Sequence, residues 1–122
     1  MSVQDISKKL VAFCQAGQNL EAIDALYSDD IVSVEAGAPP GGDATTVGKA
    51  AVLGKSKWWR ENHEIHSAKV EGPFPNGQNF AAIFEYDITF KPTGQRFNMR
   101  EVAVYETAGD KIVRESFYYA MG

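Results

Sequence analysis

From Glu64 onward the apolar residues recur at every second position, and this alternation is the feature that most limits what the chain can become. Turn residues at Pro73–Gly77, at Pro92-Thr93-Gly94 and at Ala108-Gly109-Asp110 cut the remainder into four strands, roughly Ile65–Gly72, Asn79–Lys91, Gln95–Thr107 and Lys111–Tyr119. Short loops join the last three, so an antiparallel meander is expected. With helices segregated ahead of the meander, the fold class is α+β.

Parity assigns the faces. In the third of these strands Phe97, Met99, Glu101, Ala103 and Tyr105 share one face, opposite Arg96, Asn98, Arg100, Val102, Val104 and Glu106. Glu101 thus sits in an apolar row. In the preceding strand Phe80, Ala82, Phe84, Tyr86, Ile88 and Phe90 oppose Ala81, Ile83, Glu85, Asp87 and Thr89; in the last, Val113, Glu115, Phe117 and Tyr119 oppose Ile112, Arg114, Ser116 and Tyr118. Neither face is wholly polar, so one is expected to meet the helices and the other a second subunit.

Ahead of the meander the spacing is helical. Ile6, Leu10 and Phe13 form the stripe of a first helix over Val3–Gln15, with Ser2 as N-cap and Gly17 as its stop. Asn19 caps a second helix running to about Tyr27, with Leu20, Ile23, Leu26 and Tyr27 on one side, and the two helices form a hairpin. Ser28-Asp29-Asp30 then breaks the helix. The β-branched run Ile31-Val32-Ser33-Val34 favours a short strand that ends at Glu35, before the loop Gly37-Ala38-Pro39-Pro40-Gly41-Gly42. A third helix over about Val47–Asn62, capped by Thr45 or Thr46, carries Val52, Leu53, Trp58 and Trp59. Neighbouring helical residues point about 100° apart, so one tryptophan packs inward and the other lines a cleft or an interface.

A chain of 122 residues, 44% hydrophobic, supports one domain with a real core, here residues 1–122. Its net charge of −4 comes from 16 acids and 12 bases without a basic stripe, so nucleic acid is not an expected partner. Cys14 has no second cysteine to pair with and reads as a small buried hydrophobe. The N-terminus lacks the apolar stretch of a signal peptide and no run approaches membrane-spanning length, so a cytoplasmic protein without membrane contact is expected.

The order of elements and three local patterns resemble the nuclear-transport-factor-2-like superfamily, in particular its SnoaL-like branch, which also resembles ketosteroid isomerases. The patterns are Ala16-Gly17 with Leu26-Tyr27-Ser28-Asp29-Asp30 leading into a strand, Arg100-Glu101-Val102-Ala103-Val104-Tyr105, and Lys111-Ile112-Val113-Arg114-Glu115-Ser116-Phe117-Tyr118-Tyr119. Nearly the whole chain is covered. The resemblance implies a cystatin-like cone, a curved antiparallel sheet wrapped by three N-terminal helices, with a deep apolar pocket and usually a homodimer. It implies less about activity, because the fold hosts isomerases, cyclases, dehydratases, epoxide hydrolases and non-catalytic binding proteins.

By the same resemblance, Glu35 falls in the place of the isomerase general base. The isomerase's protonated carboxylic acid matches Glu101 if the final hairpin is one residue longer, and Val102 without that gap. The isomerase's tyrosine on the first helix falls at or near Leu10, which has no hydroxyl, so this departure argues against steroid isomerisation.

Two readings of the carboxylates stay open. If Glu35 and Glu101 share an apolar pocket, desolvation and mutual repulsion leave one base and one neutral acid near neutrality, a pair suited to moving a proton next to a carbonyl. Otherwise Glu35 is a solvated strand end and Glu101 pairs with an arginine such as Arg60 or bonds a Tyr or Trp. Trp58, Trp59, His63, Phe84, Tyr105 and Tyr119 are the candidate substrate-binding set, against a default role in the core. His63 and His66 have His-x-x-His spacing, but no cysteine and no further local carboxylate completes a ligand set, so no metal is expected and His63 is assigned to the helix C-terminus or to pocket polar groups. Glu85 and Asp87 are expected on a solvated or interfacial face. No phosphate loop, nucleophile elbow or Cys-x-x-Cys is present, and no cofactor is expected. The leading expectation is a SnoaL-like isomerase, cyclase or dehydratase acting by carboxylate chemistry on an apolar carbonyl compound. The alternatives are a non-catalytic module that binds a hydrophobic ligand or mediates dimerisation, and a structural dimer with a filled core.

Overall fold

The computed structural model describes residues 2–37 and 42–120. Helix α1 (Val3–Gln15) begins in a capping box: the Asp5 amide donates to Ser2 Oγ at 3.2 Å and the Ser2 amide donates to Asp5 Oδ2 at 3.3 Å. Gly17 then takes φ +74°, and α2 (Asn19–Leu26) follows. Asn19, expected as the cap, is the first residue of α2, and its side chain bonds Tyr86 instead.

The remaining elements are β1 (Tyr27–Val34), β2 (Thr45–Val47), α3 (Lys49–Asn62), β3 (His63–Asn76), β4 (Asn79–Phe90), β5 (Gln95–Ala108) and β6 (Lys111–Tyr118). They form one open sheet in the order β2-β1-β6-β5-β4-β3. The meander β3-β4-β5-β6 is antiparallel throughout, as the short turns require.

Two features correct the expected architecture. The sheet is mixed rather than antiparallel, because β1 lies parallel to β6 with Ser33 opposite Glu115. The helices are not all N-terminal, since α3 follows β1 and β2. Both have one origin. Tyr27 leaves α2 directly in extended conformation (φ −86°, ψ 144°), so the chain enters the sheet without a reversal and Ser28-Asp29-Asp30 belongs to the strand. Residues Thr45 and Thr46, expected to cap α3, pair as β2 with the open edge of β1 (Val34↔Thr45, Val32↔Val47), which suits β-branched side chains. The helix begins only after Gly48, whose φ of +98° a side chain would strain. The Pro/Gly-rich loop expected after Glu35 falls largely on residues 38–41, outside the described residues.

The core lies between the helices and one face of the sheet. Ile6, Leu10 and Val11 of α1 and Ala22, Ile23 and Leu26 of α2 pack with Ile31, Phe80, Ala82, Ala103 and Tyr105. Cross-strand rows follow from register: Phe84 faces Glu101, Ala82 faces Ala103 and then Phe117, and Phe80 faces Tyr105 and then Glu115. Two of the three rows on the helix-facing side therefore contain a glutamate. The outer face carries surface ion pairs, Arg96 with Asp87 at 2.8 Å and Arg100 with Glu85 at 3.1 Å. Among the described residues, no helix is long and apolar enough to cross a membrane.

Leu10 is 1% exposed at the centre of the α1 stripe. Leu10→Ala is expected to lower unfolding free energy by about 2–5 kcal/mol, seen as a lower urea midpoint with unchanged slope. A loss within experimental error would place α1 outside the cooperative core.

Candidate functional site

Period two along β1 turns Ile31 and Ser33 to the helix-facing side, and Glu35 continues that row just past the strand end, where its amide donates to Ala44 O at 2.9 Å. Across from them, Lys55 lies three residues beyond the buried Val52 on α3 and so points the same way. Lys55 Nζ donates to Ser33 Oγ at 2.7 Å and to Glu35 Oε1 at 3.0 Å. Tyr119 OH donates to the other carboxylate oxygen, Oε2, at 3.1 Å. The ammonium also stands 5.7 Å from the centre of the Phe117 ring. Lys55 and Glu35 keep 28% and 27% of their side-chain surface exposed, so this ion pair sits at a mouth.

Below it lies a buried acid. Glu115, 3% exposed, accepts hydrogen bonds from Tyr27 OH and from Ser33. Burial pushes its carboxyl above the ordinary range, while Tyr27, Ser33 and the Lys55 charge pull it back. Burial, with Glu115 beside it, likewise holds the Tyr27 phenol well above its usual range.

Glu101 completes the cluster from β5. Burial first, then repulsion from Glu35 and Glu115, pushes its carboxyl up to about 8, with Lys55 opposing. No side-chain hydrogen bond or ion pair engages it among the described residues. At neutral pH Glu101 is therefore an uncharged carboxylic acid, while Glu35 is held as an ion pair. Burial and the Glu35 charge also lift the Tyr119 phenol to about 12, which keeps it a donor.

The structure brings Glu35, Glu101 and Tyr119 into one cluster and disperses the other candidates. Phe84 and Tyr105 are 3% and 2% exposed in the core, where Tyr105 stacks on Phe80 at 4.8 Å. Trp59 turns inward, stacking on His63 at 4.4 Å and lying 5.4 Å from Tyr86, whereas Trp58 is 54% exposed. His63 Nδ1 donates to Trp59 O at 2.8 Å, placing the histidine at the α3 C-terminus, and His66 Nε2 meets Thr89 Oγ1 at 2.7 Å. Arg60 does not pair with Glu101; it donates to Gly17 O at 2.9 Å. Glu85 and Asp87 form the outer-face ion pairs.

Lys55, Ser33, Glu115 and Tyr27 were not anticipated. Glu115 carried the same signal as Glu101, a charge in an apolar row between Val113 and Phe117. Lys55 carried a weaker one, its position between Val52 and Trp59 on the inward stripe of α3. A recess of about 300 Å³ opens where β1 and β6 end, lined by Val34, Glu35, Arg114, Phe117 and Tyr119 among others. A second, of about 500 Å³, runs along the charged outer strands past Lys69, Glu85 and Arg100. Neither is lined by Glu101, Phe84, Tyr105, Trp58, Trp59 or His63, so Glu101 shares a cluster with Glu35 but not a recess.

The sequence model of the SnoaL-like domain family matches residues 1–119. A crystal structure from Mesorhizobium loti, proposed to be a SnoaL-like polyketide cyclase, is 43% identical, with a TM-score of 0.92, covering 98% of this chain and 100% of that one. A protein of unknown function with a cystatin-like fold from Xanthomonas campestris is 20% identical (TM-score 0.78; 99% of this chain, 92% of that one). A protein with a ketosteroid isomerase-like fold from Catenulispora acidiphila, solved with trimethylamine, is also 20% identical (TM-score 0.72; 95% and 85%). The last two speak to fold alone. No curated protein matches the chain.

The raised Glu101 carboxyl has a measurable consequence for folding. It keeps its proton in the folded chain up to about pH 8 and loses it near 4.5 when unfolded, so its contribution is complete below pH 4.5 and is lost as pH rises through 8. The slope is at most about 1.4 kcal/mol per pH unit. Glu101→Gln removes that titration. The stability of the variant relative to wild type, from urea unfolding at several pH values, is expected to increase from pH 4.5 to 8. A difference independent of pH would show that Glu101 titrates like an exposed carboxylate.

Proposed function

We propose that this chain, which belongs to the SnoaL-like domain family, moves a proton at the carbon next to a carbonyl in an apolar small molecule. The observation that carries this reading is the split within one electrostatic cluster: Glu35 ion-paired at the mouth, Glu101 neutral behind it. Glu35 takes the proton from carbon, the electron pair moves into the carbonyl, and the oxygen that gains charge is met by the Glu101 O–H. Return of the proton to a different carbon gives an isomer, and attack of the enolate on a second carbonyl closes a ring. The cyclase name proposed for the Mesorhizobium loti relative fits the second outcome.

Both Glu35 oxygens accept hydrogen bonds, from Lys55 and Tyr119, so substrate must displace or share one of them. The recess at the ends of β1 and β6 meets the cluster at Glu35, Phe117 and Tyr119 and is the entry in this reading. Phe84 and Tyr105 shape the packed floor on which Glu101 stands.

The test is exchange of α-protons with deuterated solvent over a panel of apolar ketones and β-dicarbonyl compounds, followed by NMR. Wild type is expected to exchange at least one of them, and Glu101→Gln or Glu35→Gln to slow that exchange about 10²- to 10⁴-fold without loss of fold. The rate is expected to fall as pH rises through about 8 and Glu101 ionises. Exchange indifferent to both substitutions, or absent over the whole panel, overturns the reading.

We also propose a homodimer through the outer sheet face. Val102 and Tyr118 are register partners there, 37% and 59% exposed, beside Ile83. Sedimentation at dilute concentration is expected to show a dimer that Tyr118→Glu dissociates, and a monomeric wild type refutes it.

A further inference from the structure

Lys55 heads a chain of hydrogen bonds whose direction is fixed by chemistry. An ammonium only donates, so Ser33 Oγ accepts from Lys55 and turns its own proton to Glu115, which accepts from Tyr27 as well. Ser33, at the middle of this chain, is fully buried, and Tyr27 at its end is 4% exposed. Lys55 is thereby held by two acceptors that neighbour each other along one side of β1, Ser33 at 2.7 Å and Glu35 at 3.0 Å. An ammonium has three N–H bonds, and the third has no hydrogen-bond partner among the described residues. Glu101, within electrostatic reach of the same ammonium, likewise has no hydrogen-bond partner among them.

Two donors thus stand uncommitted in one cluster. The Lys55 ammonium stands 5.7 Å from the centre of the Phe117 ring and bonds Glu35, and both Phe117 and Glu35 line the recess, so the ammonium borders the recess through these two residues. A donor held in place by the protein, beside a surface that excludes water, stabilises charge as it develops without reorganising.

We propose that Lys55 is a further catalytic residue, donating its third N–H to the substrate oxygen that gains negative charge, and that Ser33 and Glu115 are positioning residues for it. The ligand class is a planar apolar molecule with one concentrated oxyanion, an enolate in the reaction and a phenolate in the laboratory. This rests on the proton transfer proposed above for its role in turnover, but the oxyanion site itself can be tested without turnover.

The probe is para-nitrophenol, whose phenolate is followed by its visible absorbance. Wild type is expected to bind the phenolate and to lower the apparent ionisation of the bound phenol. Lys55→Met, which keeps the aliphatic stem, is expected to weaken phenolate binding about 10- to 100-fold, and Lys55→Arg to restore part of it. In the exchange assay, Lys55→Met is expected to lower kcat by roughly 10²- to 10³-fold with little change in KM. Ser33→Ala is expected to lower kcat in the same sense, with Ser33→Thr restoring it. Far-ultraviolet dichroism checks that each variant folds, and if Lys55→Met does not, the Lys55→Arg comparison alone decides, a bound-phenol ionisation identical to wild type counting against the site.

Each outcome separates the two proposals. Lys55-dependent phenolate binding in a protein that exchanges no ketone proton supports the oxyanion site and overturns the reaction. Exchange that depends on Glu101 but is unaffected by Lys55→Met overturns the role of Lys55 and leaves the reaction standing. Absence of phenolate binding to wild type, or equal binding to wild type and Lys55→Met, overturns the site.

Discussion

One ammonium stands against three carboxylates on the inner side of this sheet, and the arrangement of the site follows from that imbalance. Lys55 lowers the energy of the ionised forms of Glu101 and Glu115, and it bonds Glu35 directly. It cannot neutralise all three. In a partly buried cluster the remaining repulsion is relieved most readily by leaving a carboxyl protonated. Glu101 takes that role because it is buried first of all, and because it lacks the support the others have: Glu35 has Lys55 and Tyr119, and Glu115 has Tyr27 and Ser33. The acid and the base are distinguished by burial and by their hydrogen bonds, not by residue type.

The cluster exists because β1 enters the sheet beside the last strand. That parallel pairing sets Ser33 against Glu115 and brings Glu35 to Tyr119, residues 84 apart in sequence. A meander alone would have left the β6 edge unpaired and its glutamate without Ser33. The strand β2 then covers the far edge of β1, which explains why Thr45 and Thr46 are spent in pairing before α3 can start.

What could be read in the sequence was local. The N-cap at Ser2, the turns of the meander and the apolar row containing Glu101 all depend on residues within a few positions of each other, and all were legible. The parallel β1–β6 contact depends on where two distant strands meet, and no local pattern encodes it. Lys55 escaped notice for a related reason. A lysine on a helix stripe ordinarily extends its stem along apolar surface to water, and only the approach of Ser33 and Glu35 from another element holds this one, half-buried, at the mouth of the cluster. Glu115 was readable by the same rule that singles out Glu101, a charge in an apolar row between Val113 and Phe117.

That resemblance also pointed to a hydroxyl on the first helix, where this chain has Leu10 packed with Ile6 and Ala22. The hydroxyls of the site come instead from the sheet strands and their ends: Tyr27, Ser33 and Tyr119. Helix α1 is thereby reduced to apolar cover, and α3 is the helix that contributes charge to the cluster through Lys55. The two helices are anchored very differently. Helix α1 buries Ile6, Leu10, Val11 and Cys14, whereas α3 buries Val52 alone and carries Gly54 in its second turn. Regions with few buried apolar contacts open at the lowest cost. Helix α3 is held instead by polar and aromatic contacts, Lys49 to Asp24 O, Arg60 to Gly17 O at 2.9 Å and Trp59 against Tyr86, so the cation of the site rides on a helix anchored by specific bonds rather than by apolar burial.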